Sequence, residues 1–263
     1  CGMVRIGMIL LGMGMSLMAG CSDSWNNPYP GSDTRANVLY SAFSERPKHL
    51  DPARSYSSNE VEFTGQIYEP PLQYHFLQRP YTLIPLTAEA VPTPRYLDAG
   101  GNQLPDDAPS ATIAESVYDI RIRSGIRYQP HPAFARDAAG HYRYHGLDVA
   151  ALAGKTRIGD FEHTDTRELV AADYVYQIKR LAHPKLSSPI FGLMAEHIIG
   201  LKALGDRLQQ AAQANPARNL NLADFPLEGA EVVDRYTYRI RVKGKYPQFI
   251  YWLAMPFFAP IPG

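Results

Sequence analysis

The chain has 263 residues, 45% of them hydrophobic and 20% charged, which excludes a disordered polymer and gives length for one or two domains. Lys plus Arg and Asp plus Glu are each 26, so the formal net charge is +0 and nothing electrostatic points to a nucleic-acid partner. Pro (22) and Tyr (17) are frequent, which suggests long ordered loops and amphipathic contact surface.

The only cysteines are Cys1 and Cys21, and Met3 is the expected start. Arg5 supplies a short positive region, and Ile6 to Ala19 is an uncharged, mostly apolar run of 14 residues. A membrane-spanning helix needs roughly 20, so the run fits the apolar region of a secretory signal better than a permanent span. It ends in Met18-Ala19-Gly20-Cys21, which resembles the bacterial lipobox with Met in place of the usual Leu. The resemblance implies cleavage before Cys21 and acylation of its thiol, which would hold a soluble body at a membrane. The competing reading is a buried apolar helix with an incidental cysteine. Ser22, rather than Asp, follows the cysteine and favours the outer membrane of a Gram-negative bacterium. Residues 22–36 are polar, carry Pro and Gly, and read as a flexible tether.

Asn37 to Phe43 alternates like a short strand, and Asp51-Pro52 in "KHLDP" starts a turn. Ser58 to Tyr68 has helical spacing, with Ser58 or Asn59 as the expected N-cap. Pro70 and Pro71 stop that helix, and Leu72, Tyr74 and Phe76 alternate as in a strand. Residues 83–94 read as loop. Ser116 to Arg123 is a half-buried strand that sets Tyr118, Ile120 and Ile122 against Val117, Asp119 and Arg121. Residues 135–146 read as a hairpin turning at Asp137 to Gly140. Ala171 to His183 is an amphipathic helix with Ala172, Val175, Tyr176 and Lys179 on one face. Ile190 to Gln213 reads as helical, 216–228 as loop, Arg235 to Val242 as strand and Pro247 to Ala254 as helix.

No catalytic constellation emerges. Glu168, Asp173, Asp51 and Glu69 have no spacing that pairs them, and no nucleophile–base motif or phosphate loop is present. Asp173 in a first helical turn suits a structural role. His141 and His145 would stand roughly 13 Å apart on a strand at about 3.3 Å per residue, too far for one metal. No metal and no other cofactor is expected.

In order, the motifs are "LDP", "YEPPL", "LIPLTAEAV", "YDIRIRSGIRY", "AADYVYQIKRL", "YTYRIRV" and "FIYWLAMPFFAPIP". This order resembles the extracellular solute-binding proteins of family 5, the peptide-binding components of bacterial ABC importers, from Asn37 onward. Pro70-Pro71 stands where the family usually has Gly, and residues 135–166 are an insertion. The resemblance implies an α/β, periplasmic binding protein type II-like fold that is incomplete here: 1–20 signal peptide, 21–36 tether, 37–66 the start of lobe I, 67–258 a smaller attached domain, and 259–263 a return to lobe I. It implies a monomeric, lipid-anchored periplasmic protein that captures oligopeptides, hands them to ABC permease subunits for ATP-driven import and catalyses nothing. It also implies that Tyr56, Ser57, Ser58 and Asn59, with Ser44 at the end of the first strand, hold the peptide backbone. The alternatives are a peptide-binding sensor or chaperone-like lipoprotein, or a lipoprotein hydrolase. A purely structural alternative for Ser58 is a helix cap.

Overall fold

A computed structural model describes residues 37, 41–216 and 219–263. It divides into a unit of residues 1–44 and a unit Glu45–Gly263. Cys21, its signal sequence and the tether lie outside the described residues, as do residues 38–40 of the first expected strand. The described residues of that stretch, Asn37 and Ser41 to Phe43, are not in a strand.

The second unit is mixed helix and sheet. Its main sheet joins β3 (Arg95–Leu97), β4 (Gln103–Leu104), β5 (Glu115–Arg121), β6 (Ala230–Asp234) and β7 (Thr237–Lys243) in the order β4-β3-β5-β7-β6, antiparallel throughout. The predicted alternation is observed in β7 and, apart from the buried Val117, in β5. Tyr118, Ile120, Tyr238, Ile240 and Val242 face the core and are almost fully buried. The other face carries charge. Asp119 accepts from Arg239 (2.6 Å) and Arg95 (2.9 Å), and Glu115 pairs with Arg241 at 2.8 Å. Opposite charges set across neighbouring strands reinforce the register that burial on the other face dictates.

Helix α2 (Ala171–Leu181) packs on β6 and β7. It stops two residues earlier than predicted, and its buried stripe is rotated from the expected one. Ala171, Tyr174, Val175, Ile178 and Leu181 are buried, whereas Ala172 is exposed. Asp173 and Gln177 share the buried side, and these two polar residues hid the phase of the stripe. Asp173 accepts from the Val170 N–H at 3.1 Å and pairs with Arg167, which is the structural role expected of it. Tyr174 stacks on Tyr238 with ring centroids 4.9 Å apart, and its hydroxyl meets Thr87 Oγ1 at 2.6 Å.

The helical stretch expected over 190–213 is present as two helices, α3 (Phe191–His197) and α4 (Leu201–Ala214). Between them Ile198 is extended and bridges Val242, the Ile199 N–H donates to Arg241 O, and Gly200 takes φ +75. Gly229 makes that approach to the sheet possible, because a Cβ there would sit 2.2 Å from Ile199 O. Tertiary pairing thus overrides local helical spacing. The expected last helix is shorter, α5 (Phe249–Trp252), and Phe249 packs on Tyr118 with centroids 5.2 Å apart. Within 83–94, read as loop, β2 (Leu83–Pro85) forms a small antiparallel hairpin with β1 (Leu72–Tyr74). The hairpin predicted at 135–146 is a turn closed by one bridge, Arg136 to Tyr142, with Gly140 at φ +85.

Candidate functional site

The stretch His49 to Asn59 and the helix after it, α1 (Ser58–Ile67), make a fixed loop. Its N-cap is Ser57, not Ser58 or Asn59 as expected. Ser57 and Glu60 have the Ser-x-x-Glu spacing of a capping box, so the cap was readable one residue earlier.

Glu60 does more than cap. It is 3% exposed, and its carboxylate gathers four backbone donors. One oxygen accepts from the N–H of His49 (2.8 Å) and Lys48 (3.1 Å), the other from Tyr56 (3.1 Å) and Ser57 (3.4 Å). Burial pushes the carboxyl up. The His49 N–H, the Ser57 hydroxyl and the Tyr56 and Ser57 N–H groups more than offset that and hold it at about 2. An anion with several donors stays ionised far below the ordinary carboxylate range.

The other side of the loop is tied to α2. Asp51 turns the chain, accepting from the Ala53 N–H at 2.9 Å, and meets Arg180 through both oxygens at 2.6 and 3.1 Å. Arg180 also donates to Gln177 Oε1 at 2.8 Å, and Gln177 Nε2 donates to Phe257 O at 3.0 Å. One turn of α2 therefore positions both the "LDP" turn and the backbone at Phe257. Tyr56, 67% exposed, stands on that second anchor, its ring centroid 6.1 Å from that of Phe257.

The expected ligand residues fare differently. The N–H groups of Tyr56 and Ser57 are spent on Glu60 and are not free to meet a ligand. Asn59 donates its amide to Glu45 O at 3.3 Å. Ser58 is exposed and opens α1, where the N–H has no intrahelical acceptor. Ser44 is exposed and belongs to the first unit. The loop offers one aromatic face, exposed hydroxyls and the N–H of Ser58.

A cavity of 840 Å³ lies elsewhere, and sequence reasoning missed it. Its wall includes Tyr68, Arg127, Tyr128, Phe134, His145 and the 260–263 segment. Tyr142, stacked on His145 at 4.1 Å, brings the insertion into it. Burial, with Asp51 second, raises the Tyr68 phenol above its ordinary value. The residues come from distant segments, so no local spacing could reveal them. Of the carboxylates weighed in the sequence, Asp51 pairs with Arg180, Asp173 with Arg167 and Glu168 with Arg235. Glu168 accepts from Arg235, Gly125 and Tyr236, and the Arg235 bond contributes most to holding it at about 2. Among the described residues, no group of three or more His, Cys, Asp or Glu could hold a metal ion.

No family model and no curated protein matches the sequence. Solved structures do. The Escherichia coli murein tripeptide-binding protein MppA is 16% identical, with a TM-score of 0.48, over 84% of this chain and 30% of its own. OppA of Listeria monocytogenes, bound to peptide, is 15% identical with a TM-score of 0.45 over 81% and 28%, respectively. OppA of Burkholderia pseudomallei is 16% identical with a TM-score of 0.44 over the same shares. The chain thus spans under a third of the length of these proteins, while most of its own length is similar to them.

Proposed function

We propose that this chain is a peptide-capturing component of an ATP-driven importer, that the loop Tyr56 to Asn59 holds the peptide, and that no turnover occurs. The observation that carries this reading is the double anchoring of an exposed loop, by Glu60 from within and by Arg180 from α2. Such anchoring fixes the Tyr56 backbone and leaves its ring and the Ser58 N–H unused by Glu60 and Arg180. Extended peptides are held largely through main-chain hydrogen bonds, and a donor fixed in advance loses little entropy on binding. In this account 37–66 begins one lobe, 67–258 forms a smaller domain attached to it and 259–263 returns to the first. A monomer presents its ligand to permease subunits.

Ser58→Pro tests the loop cleanly. Ser58 is the first helical residue, where proline is favoured, and Ser57 is already extended (φ −82, ψ 152) as a residue before proline must be. Stability should move by less than about 0.5 kcal/mol. Peptide affinity, measured by calorimetry on the protein as its gene encodes it, should fall about 5- to 150-fold for one lost bond in a closed site. Tyr56→Ala should lower affinity through loss of its aromatic face. The cap cost belongs to Ser57→Ala, at about 1 kcal/mol. Normal affinity in both Ser58→Pro and Tyr56→Ala would remove the loop from the site. A change in peptide mass on incubation would replace binding with hydrolysis.

The proposal also places the protein at a periplasmic membrane surface in a Gram-negative bacterium, through acyl chains on Cys21. Cys21→Ser should move it to the soluble fraction and remove the acyl mass. Unchanged fractionation and mass would refute the lipobox reading.

A further inference from the structure

The β1–β2 hairpin carries an unusual tip. Phe76 is 88% exposed and its neighbour Leu77 is 77% exposed. Adjacent large apolar side chains at a protruding turn are costly in water unless something covers them. Behind them stand three tyrosines: Tyr74 lies against Tyr81 at 5.8 Å and is stacked on Tyr251 at 6.2 Å and 14°. The tip is held in shape. His75 Nδ1 accepts from the N–H of Leu77 (3.2 Å) and Gln78 (3.1 Å), and the His75 N–H donates to Thr82 O at 2.8 Å. At the base, the Leu72 N–H donates to Leu253 O at 3.0 Å.

Charge decides what covers it. From Pro70 to Ala88 there is no Asp or Glu, and Arg79 is the only fixed charge. Its guanidinium lies over Tyr81 at 4.5 Å and uses Nη1 on the carbonyls of Gln78 and Phe76. An apolar point, a cluster of tyrosines and a cation in a segment without Asp or Glu is the order of chemistry met on entering a lipid surface. Two copies meeting tip to tip would bring Arg79 against Arg79 with no carboxylate between them.

We propose that this hairpin tip inserts into the surface of an anionic phospholipid bilayer, Phe76 and Leu77 entering the acyl boundary and Arg79 meeting lipid phosphate. The contact needs neither the peptide site nor acylation of Cys21. It would orient the folded body on the membrane.

Phe76→Trp in the full chain gives a reporter at the tip, with Trp25 and Trp252 subtracted using the parent protein. Added to phosphatidylethanolamine–phosphatidylglycerol vesicles, the position-76 emission should shift to the blue. It should lose most of its intensity when the acyl chains are brominated. Adding Arg79→Glu should abolish both responses, while the far-ultraviolet circular dichroism stays unchanged because the tip lies outside the core. Emission unchanged by vesicles overturns the proposal. So does a blue shift that depends on protein concentration without lipid, which would mean self-association. Full quenching in the Arg79→Glu variant would remove the phosphate contact and sink the proposal as stated.

Discussion

Replacing Glu60 with Ala is expected to destabilise the protein by about 2–3 kcal/mol and to loosen the whole loop from Lys48 to Ser57. Four backbone N–H groups converge on this carboxylate, and donors left without acceptors cost about 1–3 kcal/mol each when water cannot replace the partner. Water reaching the exposed rim replaces part of the lost partners and keeps the total below the sum of four such costs. In a unit of this size the melting temperature should fall by roughly 4–12 °C. Glu60→Gln should recover little, because its amide turns donors toward donors.

The same residue gives a pH signature. The Glu60 carboxyl goes from an ordinary value of 4.5 to about 2 on folding, so it is depressed. Its stabilising contribution is fully present above about 4.5 and is lost as pH falls toward 2. Glu168 titrates over the same window, so the comparison must be made between parent and variant. The stability difference between parent and Glu60→Gln should shrink steadily from pH 5 to pH 2. A constant difference across that range would show that the ionised carboxylate is not what holds the loop.

Asp51→Ala is expected to cost about 2–3 kcal/mol and to lower peptide affinity without touching the peptide. Arg180 is 14% exposed, and removing one partner of a largely buried pair leaves a charge without compensation. Asp51→Asn separates the two jobs of the residue. The amide oxygen keeps the turn onto the Ala53 N–H, and only the ion pair with Arg180 weakens. Asn should therefore be milder than Ala in thermal melts. Equal losses would mean that the ion pair, not the turn, carries the whole effect.

The sheet was legible because period-two alternation in β5 and β7 follows directly from one buried face. The stripe of α2 was misread because Asp173 and Gln177 are buried with it, each satisfied by a partner far along the chain or just before the helix. The break between α3 and α4 follows from Ile198 and Ile199 pairing with β7, a contact with no local signature. Ser57 and Glu60 were readable as a capping box. The further reach of Glu60 to Lys48 and His49 depends on where Asp51 and Arg180 place the turn, so it needed the fold. The cavity was invisible for the same reason.

Titration of trialanine into the isotope-labelled protein, read at backbone amides, bears most directly on peptide capture at this loop. The account predicts that the Ser58 amide shifts most, that Tyr56 and Asn59 follow, and that Tyr142 and His145 beside the cavity stay still. Shifts at Tyr128, Phe134 and His145 with the 56–59 amides unmoved would place the ligand in the cavity and contradict it.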